Sequence, residues 1–268
     1  MITTKMISTS LGKIHLYDSG DGMPLVMVHG LLSSSDSFAS LFESLVSQRR
    51  VIAFDFPDHG KSNIGTEFLS GWDGYGAALE QVVDALSLER FDLCGHSMGG
   101  GVAARYAAEH PEKVQKLILI DSVTARFKLP LKGRIPLVPL LGDILIRRLY
   151  GEKLFLDYFR HDVFFNAQKL DVERVKGFYR GFDSNRASIL RGIRATANPA
   201  SVVSALSHIE AKTLIIWGRQ DPLIPLYVGN ETVRKIKRAD LQVVDDCGHS
   251  PMEEAPASTA SLMVEFLG

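Results

Sequence analysis

Cysteine is nearly absent from this chain: Cys94 and Cys247 are the two among 268 residues. That excludes the disulfide-stapled architecture of small secreted domains, and no bridge between these two is expected. No apolar run approaches the length of a bilayer span, and Met1-Ile2-Thr3-Thr4-Lys5-Met6 lacks the apolar core of a signal peptide. A cytoplasmic protein without a membrane span is the expectation. Charge of one sign is lacking too, with 30 Lys and Arg against 31 Asp and Glu. No global field therefore favours nucleic acid or an anionic membrane as partner. No His, Cys or Asp cluster has ligand spacing, so neither metal nor cofactor is expected. Repeats and low-complexity stretches are missing as well.

What is present is a core. Hydrophobic residues make up 46% of the chain, enough for one α/β domain of this length. Short apolar runs recur at Lys13–Tyr17, Leu25–His29, Val51–Phe54, Phe91–Cys94, Lys116–Ile120, Thr213–Trp217 and Leu241–Val244. They are continuous rather than alternating, as strands of a parallel sheet covered on both faces are. Leu11-Gly12-Lys13 reads as the turn of an early antiparallel hairpin. Helical patterns at Phe38–Gln48 and Tyr75–Leu86 lie between strands, so a doubly wound, mostly parallel sheet of eight strands is predicted.

The chemistry centres on Gly95-His96-Ser97-Met98-Gly99, between the Phe91 strand and a helix rich in small residues that stops at His110-Pro111. A serine at a strand-to-helix apex sits in a strained backbone that only small neighbours tolerate, and its hydroxyl is lifted clear of the sheet. Such an elbow calls for a base and an acid. Asp221 follows the Thr213 strand in Gly218-Arg219-Gln220-Asp221-Pro222. His249 follows the last strand in Asp245-Asp246-Cys247-Gly248-His249-Ser250. Asp121, at the end of the Lys116 strand, is a rival for the acid, and Asp245 and Asp246 read as a solvated strand end.

The order Ser97, Asp221, His249 resembles that of the α/β-hydrolases, and the resemblance runs over nearly the whole chain. Val26-Met27-Val28-His29-Gly30-Leu31 and Asp55-Phe56-Pro57-Asp58-His59-Gly60-Lys61-Ser62 match as well, although the family more often has glycine where Asp58 stands. The resemblance implies that the backbone N–H groups of Leu31 and Met98 form the oxyanion hole. On this reading His29 and His96 orient loops, and Asp55 and Ser62 build a turn.

Between Asp121 and Lys212 the alternation fails. Leu137, Leu140, Leu141, Ile144, Leu145 and Leu149 recur at helical spacing, and Asp171–Phe182 and Asn185–Ala197 read as two further helices. The resemblance implies a helical cap at 123–207, inserted after strand 6, with a core of 1–122 and 208–268. Phe155, Tyr158, Phe159, Phe164 and Phe165 are candidates for its apolar underside. Arg191 and Arg194 are the first choices for a substrate carboxylate clamp.

The main reading is a serine hydrolase cleaving small or medium apolar carboxylic esters through an acyl-enzyme. Two alternatives stand beside it: a carbon–carbon bond hydrolase acting on a vinylogous diketone, and a ligand receptor on a hydrolase scaffold. Ser250, where the carbon–carbon hydrolases of this fold commonly carry tryptophan, weighs against the first alternative. Substrate-contacting residues and oligomeric state are left open.

Overall fold

The computed structural model describes residues 2–129 and 131–268. Strands β1 (Thr4–Thr9), β2 (Gly12–Ser19), β3 (Pro24–Val28), β4 (Arg50–Phe54), β5 (Asn63–Ile64), β6 (Phe91–His96), β7 (Val114–Ile120), β8 (Lys212–Gly218) and β9 (Ala239–Val244) form one sheet. Its order is β1-β2-β4-β3-β6-β7-β8-β9, with β5 paired to β2. The expected hairpin is present, Thr9 facing Gly12 across the β1–β2 turn. β2 runs antiparallel to β4, and the strands from β4 to β9 along this order run parallel. The sheet therefore has nine strands, not eight. The extra one is the exposed two-residue β5, too short and too polar to leave a hydrophobic pattern.

Successive strand residues point to opposite faces, and the core divides accordingly. Val26 and Val28 of β3 and Leu117 and Leu119 of β7 pack on one side; Leu25, Met27, Ile118 and Ile120 pack on the other. Helices α1 (Trp72–Ala85) and α2 (Met98–Glu109) cover the first face. Its burial of Trp72, Tyr75, Leu79 and Val82 gives α1 an apolar stripe at helical spacing. The second face is covered by residues 35–46 and by the C-terminal helix. The helix expected at Phe38–Gln48 instead begins as a 3₁₀ turn, Ser35–Leu41, before becoming α-helical at Phe42–Val46. Ser34 starts that turn by accepting from Asp36 N at 3.2 Å. Cys94 and Cys247 are both buried and unpaired.

Between β7 and β8 the chain is helical. Its longest element, α3 (Val172–Thr196), merges the two expected helices across a break at Asn185, whose φ and ψ are −128° and 21°. The Asn185 amide donates to the Gly181 carbonyl at 3.2 Å, competing with the helix ladder there. A third apolar cluster, from Ile146 to Leu190, belongs to this segment. Val202 and Leu206, by contrast, pack into the cluster that covers the first face of the sheet.

Candidate active site

All the parallel strands end at one edge, and the candidate residues leave from there. Ser97 follows β6 with φ 55° and ψ −121° and opens α2. A Cβ at Gly95 would strike the backbone of Gly99 and Gly100, and one at Gly99 would strike the carbonyls of Val28 and His29. The two glycines are what permits the turn. Asp221 follows β8, His249 follows β9 and Leu31 follows β3.

These residues, distant in sequence, meet. His249 Nδ1 lies 2.7 Å from Asp221 Oδ2, and His249 Nε2 lies 3.0 Å from Ser97 Oγ. Asp221 Oδ1 accepts from Leu223 N at 2.8 Å and Ile224 N at 3.0 Å, which fixes the carboxylate in its own loop. The rival Asp121 is fully buried but turned elsewhere: its Oδ1 accepts from Gly218 N at 2.9 Å, and its Oδ2 has no partner. Burial and the neighbouring Asp221 charge hold the Asp121 carboxyl well above the usual carboxylate range.

The loop carrying Leu31 passes over the serine, since a Cβ on Gly30 would lie 2.9 Å from Ser97 Cβ and 3.4 Å from its Oγ. Met98 is the first residue of α2, so its N–H has no carbonyl one turn back to bond. The positive end of the helix faces the same point. Leu31, Met98, Ser97 and His249 all line one cavity of about 1010 Å³. Its far wall comes from the helical segment, including Tyr158, Phe159 and Phe182. Phe165 is exposed and does not take part.

His29 and His96 serve the loops, as expected. His29 Nε2 accepts from Phe56 N at 3.1 Å, so its Nδ1–H donates to the Gly30 carbonyl at 2.7 Å. Burial, reinforced by His59, lowers its pKa to about 4 and keeps it neutral. His96 Nε2 lies 2.7 Å from the His249 carbonyl oxygen, to which it donates. Burial and His249 keep the His96 ring neutral too. Asp55 and Ser62 build their turn: Asp55 accepts from Ser35 N at 2.7 Å and Lys61 N at 2.8 Å, and the Ser62 hydroxyl donates to the Asp55 carbonyl at 2.8 Å.

The proposed arginine clamp is not assembled. Arg194 binds Asp143 at 2.8 Å and the Pro136 carbonyl at 3.0 Å, and neither it nor the exposed Arg191 lines the cavity. Their helical spacing puts them on one face, but the structure turns that face away. Two glutamates that the sequence did not mark are at the site. Glu254 accepts from Gly248 N at 2.7 Å with one oxygen, and from Phe165 N at 3.0 Å and Asn166 N at 2.9 Å with the other. It ties the histidine loop to the helical segment. Glu253 lines the cavity 3.5 Å from Arg174, and burial pushes its pKa up to about 7. Acidic residues are common in the first turn of any helix, so nothing in the sequence set this pair apart.

A doubly wound sheet that presents a serine elbow, a histidine and an aspartate at its carboxyl edge defines a class of hydrolytic protein. The chain belongs to the α/β-hydrolase fold family, whose model matches residues 23–256. Among its relatives is 2-hydroxymuconate semialdehyde hydrolase of Pseudomonas sp. (strain CF600), 33% identical over 268 residues, or 95% of this chain and 90% of that one. Another is 2-hydroxy-6-oxo-6-phenylhexa-2,4-dienoate hydrolase of Comamonas testosteroni, 28% identical over 266 residues, 95% of this chain and 91% of the other. The solved enzyme of that second name from Rhodococcus sp. strain RHA1 superposes with a TM-score of 0.83 at 24% identity, covering 100% and 99% of the two chains. The protein is a hydrolase. Among the described residues no group of His, Cys, Asp and Glu is placed to hold a metal, and no helix is long and apolar enough to cross a membrane.

Proposed function

We propose that this hydrolase cleaves a carbon–carbon bond next to the carbonyl of a vinylogous 1,5-diketone or the corresponding semialdehyde, as the names of its relatives indicate for theirs. The observation that carries the reading is the 33% identity to a 2-hydroxymuconate semialdehyde hydrolase across nearly the full length of both chains. Ester hydrolysis, the first expectation from sequence, becomes the second reading. It is favoured by Ser250 after His249.

The roles follow from the distances. Asp221 accepts the Nδ1 proton of His249 and fixes the ring, leaving Nε2 to take the Ser97 proton as Oγ attacks the carbonyl. The N–H groups of Leu31 and Met98 hold the oxyanion, worth about 3–4 kcal/mol for a donor of this kind. Collapse breaks the carbon–carbon bond, its electron pair passes into the conjugated oxo-enoate, and the imidazolium returns the proton to carbon. Water, deprotonated by His249, then releases the acid from Ser97. Residues 123–207 act as the cap that closes this chamber, and 1–122 with 208–268 form the core beneath it. Exclusion of bulk water by that cap protects the carbanion-like leaving group.

The test sets 2-hydroxy-6-oxohepta-2,4-dienoate against p-nitrophenyl butyrate, with Ser97→Ala as the blank. A larger kcat/KM on the dienoate supports carbon–carbon cleavage. Turnover of the ester alone replaces that reading with the second one. Labelling of Ser97 by a fluorophosphonate with no turnover of either substrate points to a receptor.

A further inference from the structure

The leucines between 137 and 149 do not all turn inward. Leu137 and Leu145 line the cavity, but Val138, Leu140, Leu141, Ile144 and Leu149 are exposed, Leu140 at 78% and Leu149 at 61% of their full surface. Gly142 and Ile146 form the buried side of this short helical stretch, so the exposed apolar groups occupy the opposite arc. A monomeric soluble protein rarely leaves several large aliphatic side chains together in water without a partner for them.

The charge around them says what that partner is. From 126 to 154 the chain carries seven Lys and Arg and two acidic residues, although its net charge is −1; of these, Arg126, Lys128, Lys132 and Arg134 line the cavity, and Arg147 and Arg148 lie within the apolar stretch itself. Lys132, Arg147 and Lys153 face carboxylates at 3.5, 3.9 and 2.8 Å, as weak exposed pairs. Arg148 is exposed beside Leu149, with no carboxylate recorded within 4.0 Å of it among the described residues. Aliphatic groups fringed by cations suit the boundary between anionic headgroups and acyl chains. A second copy of the chain would bring the same positive segment against this one.

We propose that residues 138–149 dock this protein on an anionic phospholipid bilayer, with Leu140, Leu141, Ile144 and Leu149 entering the headgroup boundary and Arg147 and Arg148 pairing with lipid phosphates. The same stretch supplies Leu145 and Ile146 to the cavity wall, so docking sets the chamber beside the lipid phase. The proposal stands whichever bond Ser97 attacks, because binding is read without turnover.

The experiment is flotation of the full chain with vesicles of phosphatidylcholine alone or with phosphatidylglycerol. Binding to the anionic vesicles that falls about tenfold or more from low to high salt is expected. The pairs Leu141→Asp/Ile144→Asp and Arg147→Glu/Arg148→Glu should each abolish it while leaving turnover of a dissolved substrate unchanged. Absence of binding to phosphatidylglycerol vesicles, or binding indifferent to both pairs, overturns the proposal. So does a dimer in sedimentation velocity that Leu141→Asp/Ile144→Asp dissociates, because the face is then covered by its own kind.

Discussion

His96 and His249 are joined through a side chain and a backbone: the His96 ring donates from Nε2 to the His249 carbonyl at 2.7 Å. The two rings lie 4.9 Å apart between centroids. The residue before the nucleophile thus holds the loop of the base, and the Ser97–His249 distance depends on it. His96→Leu keeps volume and removes the donor. It should lower kcat by about 10–100-fold through misplacement of the imidazole, with little change in KM. Steady-state kinetics with thermal melting as a folding control checks this; a KM effect alone would contradict it.

The two buried carboxyls behind the base should separate cleanly under mutation. Asp221→Asn leaves His249 without its acceptor and should reduce kcat by about 10⁴-fold, as loss of such an acid does elsewhere. Asp121→Asn preserves an oxygen for Gly218 N and replaces a carboxyl whose charged form burial and the Asp221 charge disfavour, so less than about a tenfold loss is expected. Parallel rate measurements decide; the reverse ranking would move the acid to Asp121.

Glu253 makes stability depend on pH near neutrality. Its folded pKa is raised from 4.5 to about 7, so between those values the native state binds more proton than the unfolded one. Stability contributed by the protonated carboxyl is complete below 4.5 and lost as pH rises through about 7. Glu253→Gln mimics the protonated form. It should melt close to the parent at pH 4 and above it at pH 8, and equal shifts at both would remove the assignment.

Asp55 works in the opposite sense. Burial would raise its pKa, but the hydrogen bonds from His15, Lys61 N and Ser35 outweigh burial and bring it down to about 2 from 3.8. The stability it adds is fully present above 3.8 and disappears as pH falls through about 2. Asp55→Asn should therefore destabilise at pH 7, by roughly 1–3 kcal/mol for a buried charged hydrogen-bonding group, with the difference shrinking below pH 3. Urea titrations at the two pH values measure it.

The elbow was legible because its glycines are demanded by backbone sterics within five residues, and the order of Ser97, Asp221 and His249 carried the rest. β5 was not, because two exposed residues paired to an edge leave no periodicity. Leu140 and Ile144 share the spacing of core residues, and only the tertiary structure reveals that their side chains are exposed. Overall charge balance hid a positive segment for a similar reason: a sum over 268 residues erases a local excess. Glu254 was invisible because its partners, Gly248, Phe165 and Asn166, are backbone groups from two distant loops.

The amide of His249 itself donates to the Val163 carbonyl at 2.8 Å, and Glu254 stitches the neighbouring turns together. Lifting that end of the helical roof would drag the imidazole out of register with Ser97. Among the described residues, the imidazole is thus tied to the helical segment through 163–166 and not through 126–150.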